Sequence, residues 1–344
     1  MLSANGKGTK TAVIWLLAAF LIVAFAVSLT MGRLNVPIAE AVKILLSRIG
    51  LYSSAAQRTW SDQMEKAVIN IRLPRITLAC MIGCCLSAAG AAYQGVFRNP
   101  MASPDILGAS SGAAFGAALA ILMGASSGMI TLSAFIFSML TVLLAMLIAK
   151  RARGDGVANL ILAGIMLSSL FSAGTSYIKL AADPSNQLPA ITYWLMGSLS
   201  GTRHNTVYMA AIPMLAGCVT LILSRWRLNL LTLGDDEARS MGVNAALLRA
   251  VVIAASTLIT AASIASAGMI GWVGLVVPHM ARKLVGSDYR RLMGASMLLG
   301  ASFLLIVDDV SRNLTAAEIP IGILTAFVGA PFFIYLLCSR RKPV

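Results

Sequence analysis

Few side chains in this sequence combine type and spacing in a way that supports chemistry. Asp308 and Asp309 come first, because they sit in an apolar stretch long enough to enter a membrane. A carboxylate at such depth costs about 2.5–3.5 kcal/mol on insertion scales. Two readings are open: a proton or sodium pathway, or a helical ion pair with Arg312, which follows Asp308 by four residues and Asp309 by three. The ion pair is the favoured one. The two histidines, His204 and His279, lack the i, i+4 partner or nearby cysteine of a metal site, and none is expected. His279 follows Pro278 and reads as a helix-end or interface residue. Cys80, Cys84, Cys85, Cys218 and Cys338 all lie in apolar runs and read as small hydrophobes. The stretch Asn5-Gly-Lys-Gly-Thr-Lys10 lacks the spacing and the preceding strand of a phosphate loop. No catalytic set is left, so the chain is not expected to be an enzyme or to hold a cofactor. Any ATP and Mg must be bound by a partner subunit.

Arg225 to Arg249 (RWRLNLLTLGDDEARSMGVNAALLR) is too long for a tight turn and too apolar for a solvated loop. Gly234 and Gly242 would let two short helices meet at an angle. Asp235, Asp236 and Glu237 would then favour the first turn of the second helix. Two readings are open here as well, a rigid docking knob for a cytoplasmic partner or an interfacial amphipathic loop.

The elements that must position these residues are membrane spans. Of 344 residues, 58% are hydrophobic and 12% charged, which excludes a soluble globular enzyme. At about 20 residues per span, ten spans fit within one polytopic, all-α domain covering residues 1–344. The first uncharged run, Thr11 to Met31, is too long for a signal-peptide core. Ile76–Phe97 is the second span. Ile106–Ala149 holds two, broken at Gly124–Gly128. Gly156–Ile178 and His204–Ser224 follow. Ala250–Ala281 is shared by two, the second short and bent around Gly268, Gly271, Gly274 and Pro278. Leu292–Val307 and Ile319–Ser339 complete the set. The segment 32–71 reads as an external amphipathic helix with Ile38, Val42, Leu45, Leu46 and Ile49 on its apolar face. The polar, Pro-containing piece Asp183–Arg203 is placed at the outer interface.

The net charge of +14 would suggest nucleic acid in a soluble protein, but in a membrane protein it sets orientation. With both termini inside, 17 of the 27 basic residues are cytoplasmic: Lys7, Lys10, Arg98, Lys150, Arg151, Arg153, Arg225, Arg227, Arg239, Arg249, Arg282, Lys283, Arg290, Arg291, Arg340, Arg341 and Lys342. No nucleic-acid partner is expected; lipid is. Small residues at close spacing, such as Gly83, Ser87, Gly90 and Ala91, or Gly108, Gly112 and Gly116, predict tight helix contacts. A faint repeat, Ser87–Gly90 before Pro100 and Ala265–Gly268 before Pro278, has the same ten-residue Gly-to-Pro interval in both copies. It suggests an inverted internal repeat.

Seven motifs in order then resemble the permease subunits of ABC importers for iron-siderophores, haem and vitamin B12, the FecCD type. They are Ile71-Arg-Leu-Pro-Arg75, Gly90–Gln94 leading to Arg98-Asn-Pro-Met-Ala-Ser-Pro104, Leu107–Gly112, Tyr193–Ser198, Leu233-Gly-Asp-Asp-Glu-Ala-Arg239, Gly271–His279 and Glu318–Thr325. The resemblance implies a type II ABC importer permease fold of ten transmembrane helices in a bacterial or archaeal cytoplasmic membrane. It implies as partners a second permease copy or paralogue, two cytoplasmic ATPases and an external substrate-binding protein. It matches Leu233, Gly234, Asp235, Asp236, Glu237, Ala238, Arg239 and Gly242, within a segment of about 226–247, to the ATPase-coupling element. It matches Arg72, Arg75 and Arg312 to the arginines that receive acidic side chains of the binding protein. A cytoplasmic gate is implied at Asn99, Pro100 and Met101, and at Val157 and Ala158, where the family more often has small hydroxyl residues. The expected cargo is a metal chelate, an iron-siderophore first, with haem, a corrinoid or an oxyanion as alternatives. A secondary transporter using Asp308 or Asp309 is the competing class.

Overall fold

The computed structural model describes residues 3–32, 34–48, 59–154, 156–315 and 317–339. Ile49 and Arg58 of the expected external segment and Arg340, Arg341 and Lys342 lie outside the described residues, as does the side chain of Lys7. Every regular element among the described residues is helical.

Helix α1 (Ser3–Thr30) leads to α2 (Ile38–Arg48) and α3 (Asp62–Lys66), which runs through a π-helical turn, Ala67–Arg72, into α4 (Leu73–Val96). The uncharged stretch after Arg75 made Ile76 the expected start of this span. The helix instead begins at Asp62, where the Ser61 hydroxyl accepts the Met64 N–H at 3.3 Å. In the π turn the Leu73 N–H bonds to the Val68 carbonyl five residues back, and the helix runs on through Pro74. In α2 the expected apolar face is split. Ala41 and Ile44 are buried, while Ile38 and Val42 are exposed, as on a helix lying at a membrane surface.

The remaining helices are α5 (Ala109–Leu122), α6 (Ser127–Arg151), α7 (Gly156–Ala181), α8 (Gln187–Met196), α9 (His204–Leu233), α10 (Asp235–Ser240), α11 (Ala245–Ala267), α12 (Val273–Val285), α13 (Tyr289–Asn313) and α14 (Ile321–Ser339). Among the described residues, seven helices are long and apolar enough to cross a membrane: α1, the continuous α3–α4, α6, α7, α9, α11 and α13. With the shorter α5, α12 and α14 they are compatible with the ten expected. The ten residues of α8 are too few to span, in keeping with its predicted interfacial place. The stretch Ala250–Ala281 does contain two helices, the second with Pro278 inside it.

Helix α4 is the axis of the bundle, packed on by α9, α11, α12 and α13, with α1 along α13. Glycines permit this. A Cβ on Gly90 would lie 1.7 Å from the Gly274 carbonyl oxygen, and one on Gly83 would lie 2.2 Å from that of Gly300. The backbones of α4, α12 and α13 therefore touch directly, the packing available to helices in lipid. The two stretches of the suspected repeat sit in different local settings: the interval from Gly90, inside α4, ends at Pro100 in a turn, whereas that from Gly268, just after α11, ends at Pro278 inside α12. Likewise His279 is mid-helix in α12, not at a helix end.

Candidate functional site

Two clusters of charge mark the opposite ends of the bundle. At the first end, Arg72 closes the π turn and caps the end of α1. Its guanidinium donates to the carbonyl oxygens of Leu29 at 2.6 Å, Thr30 at 3.0 Å and Leu34. The first two are carbonyls that a helix C-terminus leaves without partners, and the third belongs to the loop that follows. One helical turn later Arg75 donates to Asp308, with Nε 3.0 Å from Oδ1 and Nη2 2.8 Å from the same oxygen, and through Nη1 to Glu318 Oε1 at 2.9 Å. Arg312 donates to Asp309 and to the Ser28 carbonyl at 2.9 Å, while the Ser28 hydroxyl donates to Asp309 at 2.7 Å. Two arginines, Arg75 and Arg312, meet three carboxylates while Arg72 holds backbone carbonyls, and α1, α4, α13 and the approach to α14 are joined.

The ion-pair reading of Asp308 and Asp309 is therefore the right one, with its main partner corrected. Arg312 approaches Asp308 only to 3.8 Å, and it is Arg75 that holds Asp308. Both carboxylates are occupied by arginine. Arg72, Arg75 and Arg312 retain only 5%, 7% and 8% of their surface, because buried guanidiniums must find acceptors and the neighbouring carboxylates and carbonyls supply them. The open edge of the cluster is Glu318, with 28% of its side chain exposed. Ser28 and Glu318 were not foreseen as members, since no local spacing connects positions 281 and 243 residues from their partners. His204 has a structural task at this end, its Nε2 lying 2.9 Å from the Ile69 carbonyl of the π turn.

At the second end, the segment expected to serve coupling is built differently from the expectation in one respect. The leucines before Gly234 do not form a separate short helix; α9 runs unbroken to Leu233, with Leu228 and Leu231 buried. Gly234, at φ +146°, then turns the chain, and α10 begins with Asp235, Asp236 and Glu237 in its first turn as expected. Gly242, at φ +79°, ends the unit with its N–H on the Arg239 carbonyl at 2.9 Å. Asp235 fixes the knob to the bundle, 2.7 Å from Arg249 of α11 and 3.8 Å from Arg98 after α4. Ala238 is fully buried beneath it. Facing outward are Leu233, Met241, Asp236 and Arg239, an apolar and charged surface held on a rigid support.

The same end carries a junction that the sequence did not reveal. Asn229 of α9 donates to Asp288 at 2.8 Å and accepts the Tyr289 N–H at 2.9 Å, tying α9 to the start of α13. Burial opposes ionisation of Asp288. The N–H of Arg290, the amide of Asn229 and the charges of Arg290 and Arg291 outweigh it and hold the carboxyl below its usual range.

The expected gate turns also lie here. Arg98 takes φ +48° to leave α4, and Asn99 Oδ1 accepts the Met101 N–H at 2.9 Å. Asn99 and Met101 are exposed and Pro100 is half-buried; Val157 is half-buried and Ala158 exposed. Helix α7 meets the turn Pro104–Leu107 at Gly164, two helical turns past Val157. Both gate segments thus sit at the Asp235 end.

The profile of the FecCD transport family matches residues 20–339. The molybdate import system permease protein MolB of Haemophilus influenzae is 38% identical over 95% of each chain. The hemin transport system permease protein HmuU of Yersinia pestis is 35% identical, covering 86% of this chain and 91% of its own. Among solved structures, an ABC transporter in an inward-facing conformation, described as of metal-chelate type, aligns with TM-score 0.85 and 37% identity over 96% of this chain and 99% of that one.

Proposed function

The chain belongs to the FecCD transport family, and on that premise we propose that it carries a metal chelate, with an iron-siderophore as first choice, delivered by an external substrate-binding protein. It is a multi-pass membrane permease of an ABC importer, a transport subunit and not an enzyme. The observation that carries the cargo class is the nearly full-length likeness to a metal-chelate type transporter at 37% identity.

The proposed assembly places two permease copies, or this chain and a paralogue, over two ATPases seated on the α10 knobs, with both termini cytoplasmic. ATP and Mg belong to those ATPases. Leu233, Met241, Asp236 and Arg239 form the ATPase contact. Asn99–Met101 and Val157–Ala158 form the cytoplasmic gate. The binding protein docks at the Arg75 end through Arg72, Arg75 and Arg312. Because these are already paired, an incoming carboxylate reaches Arg75 in exchange for Glu318.

A second cargo reading has its own support: the relative matched over 95% of both chains is a molybdate import permease. Proteoliposomes holding the permease, its ATPase and its binding protein distinguish the two. ATP-dependent uptake of a ferric siderophore that unlabelled molybdate leaves unchanged is the expected result. Uptake of molybdate alone would overturn the chelate assignment. Uptake that persists with an inactive ATPase and collapses with the ion gradient would overturn the ATP-driven reading as well.

A further inference from the structure

Helices α6 and α9 both pack on α11, and near the Arg75 end they leave a groove of about 530 Å³ between them. Its floor is made of small side chains of α11, Ala262 and Ala265, and its walls include Leu132 of α6 and Met209 of α9. Leu132 is 48% and Met209 74% exposed, so the groove opens sideways into the hydrocarbon. Arg203, the residue before α9, stands at its mouth. Among the described residues no carboxylate or carbonyl satisfies the Arg203 guanidinium. The lining is mixed, with Thr131 and Ser266 beside the apolar side chains; an unpaired cation at the headgroup boundary, above a slot with an apolar floor, is the complement of an anion that carries a hydrocarbon tail.

The volume decides between a tail and a partner helix. A helix about 10 Å across would fill the groove with little more than one turn, whereas an acyl chain is a thread that fits along it. We propose that this groove holds one anionic glycerophospholipid, its phosphate on Arg203 and an acyl chain laid between α6 and α9 onto Ala262 and Ala265.

Native mass spectrometry of the purified permease tests this with phosphatidylglycerol and phosphatidylcholine of identical chains. The wild type should retain one phosphatidylglycerol in preference to phosphatidylcholine. Arg203→Gln should weaken phosphatidylglycerol retention by about fivefold, the scale of one basic residue at an anionic lipid surface, and leave phosphatidylcholine unchanged. Met209→Trp, which fills the slot from its exposed edge, should reduce retention of both. Equal retention of the two lipids by the wild type, or no effect of Arg203→Gln, would overturn the proposal. So would displacement of the lipid by millimolar inorganic phosphate, because the site would then be one for a free anion.

Discussion

Arg75 and Asp308 stand 233 positions apart in the sequence and meet in the bundle through three N–O contacts of 2.8–3.1 Å. Asp308 is fully buried and Arg75 nearly so. Such a pair contributes little net stability against an apolar substitute, but removing one partner leaves an uncompensated buried charge. Asp308→Ala should destabilise the permease by about 3–5 kcal/mol. The double variant Arg75→Met, Asp308→Leu should lose much less than the sum of its single changes. Unfolding midpoints in detergent measure both, and strict additivity would show that the two side chains are not coupled.

Helix contact at glycine leads to a sharper contrast. Gly90→Ala puts a methyl group into the Gly274 backbone, whereas Gly294, on α13, has nothing within 4 Å of its Cβ position. Gly90→Ala should cost about 1–3 kcal/mol or more and lower the yield of folded protein. Gly294→Ala should be neutral or stabilising by up to about 1 kcal/mol. Thermal melts of the two variants side by side check this, and equal melting temperatures would refute direct backbone contact at Gly90.

The legible and illegible parts of this molecule differ by range. Spans, the break near Gly268 and the acidic start of α10 follow from local patterns, because hydrophobic runs, Gly and Pro act within one or two helical turns. Arg75 with Asp308 and Asn229 with Asp288 do not, because nothing in the sequence says which of ten helices will be neighbours. The same limit applies to Arg72, Arg75 and Arg312. Their positions could be carried over by motif, but Arg75 is buried against Asp308 and Glu318, Arg312 partly against Ser28 and Arg72 against the Leu29 and Thr30 carbonyls, all distant in the sequence. Charge misled in the opposite sense, since Arg72 and Arg75 lie within the continuous helix that begins at Asp62, their charges met by buried acceptors.

Asp288 gives a pH dependence with a definite sign. Its folded pKa is depressed, so its contribution is fully present above the ordinary carboxylate range near 4 and is lost as pH falls through the folded value. Hydrogen exchange at the N–H groups of Arg290 and Arg291, measured against a pH-matched Asp288→Asn control, should show protection falling in the wild type as pH is lowered below about 4. Asp288→Asn should lack that step. A step of the same size in both would assign the effect to other groups.

The knob separates stability from coupling because its two faces do different things. Asp235 points inward to Arg249 at 2.7 Å, whereas the side chains of Asp236 and Arg239 are 93% and 65% exposed and pair only with each other at 3.4 Å. An exposed pair of that kind contributes about 0–1 kcal/mol. Asp236→Ala with Arg239→Ala should therefore leave the melting temperature of the permease nearly unchanged. If this face transmits ATPase motion, the same double variant should lower substrate uptake per ATP hydrolysed in reconstituted vesicles. Asp235→Ala should instead loosen the knob itself, seen as faster hydrogen exchange across α10, and lower coupling with it. Normal coupling in the surface variant, together with impaired coupling in Asp235→Ala, would locate transmission beneath α10, along Arg98 and Arg249, and not on its outer face.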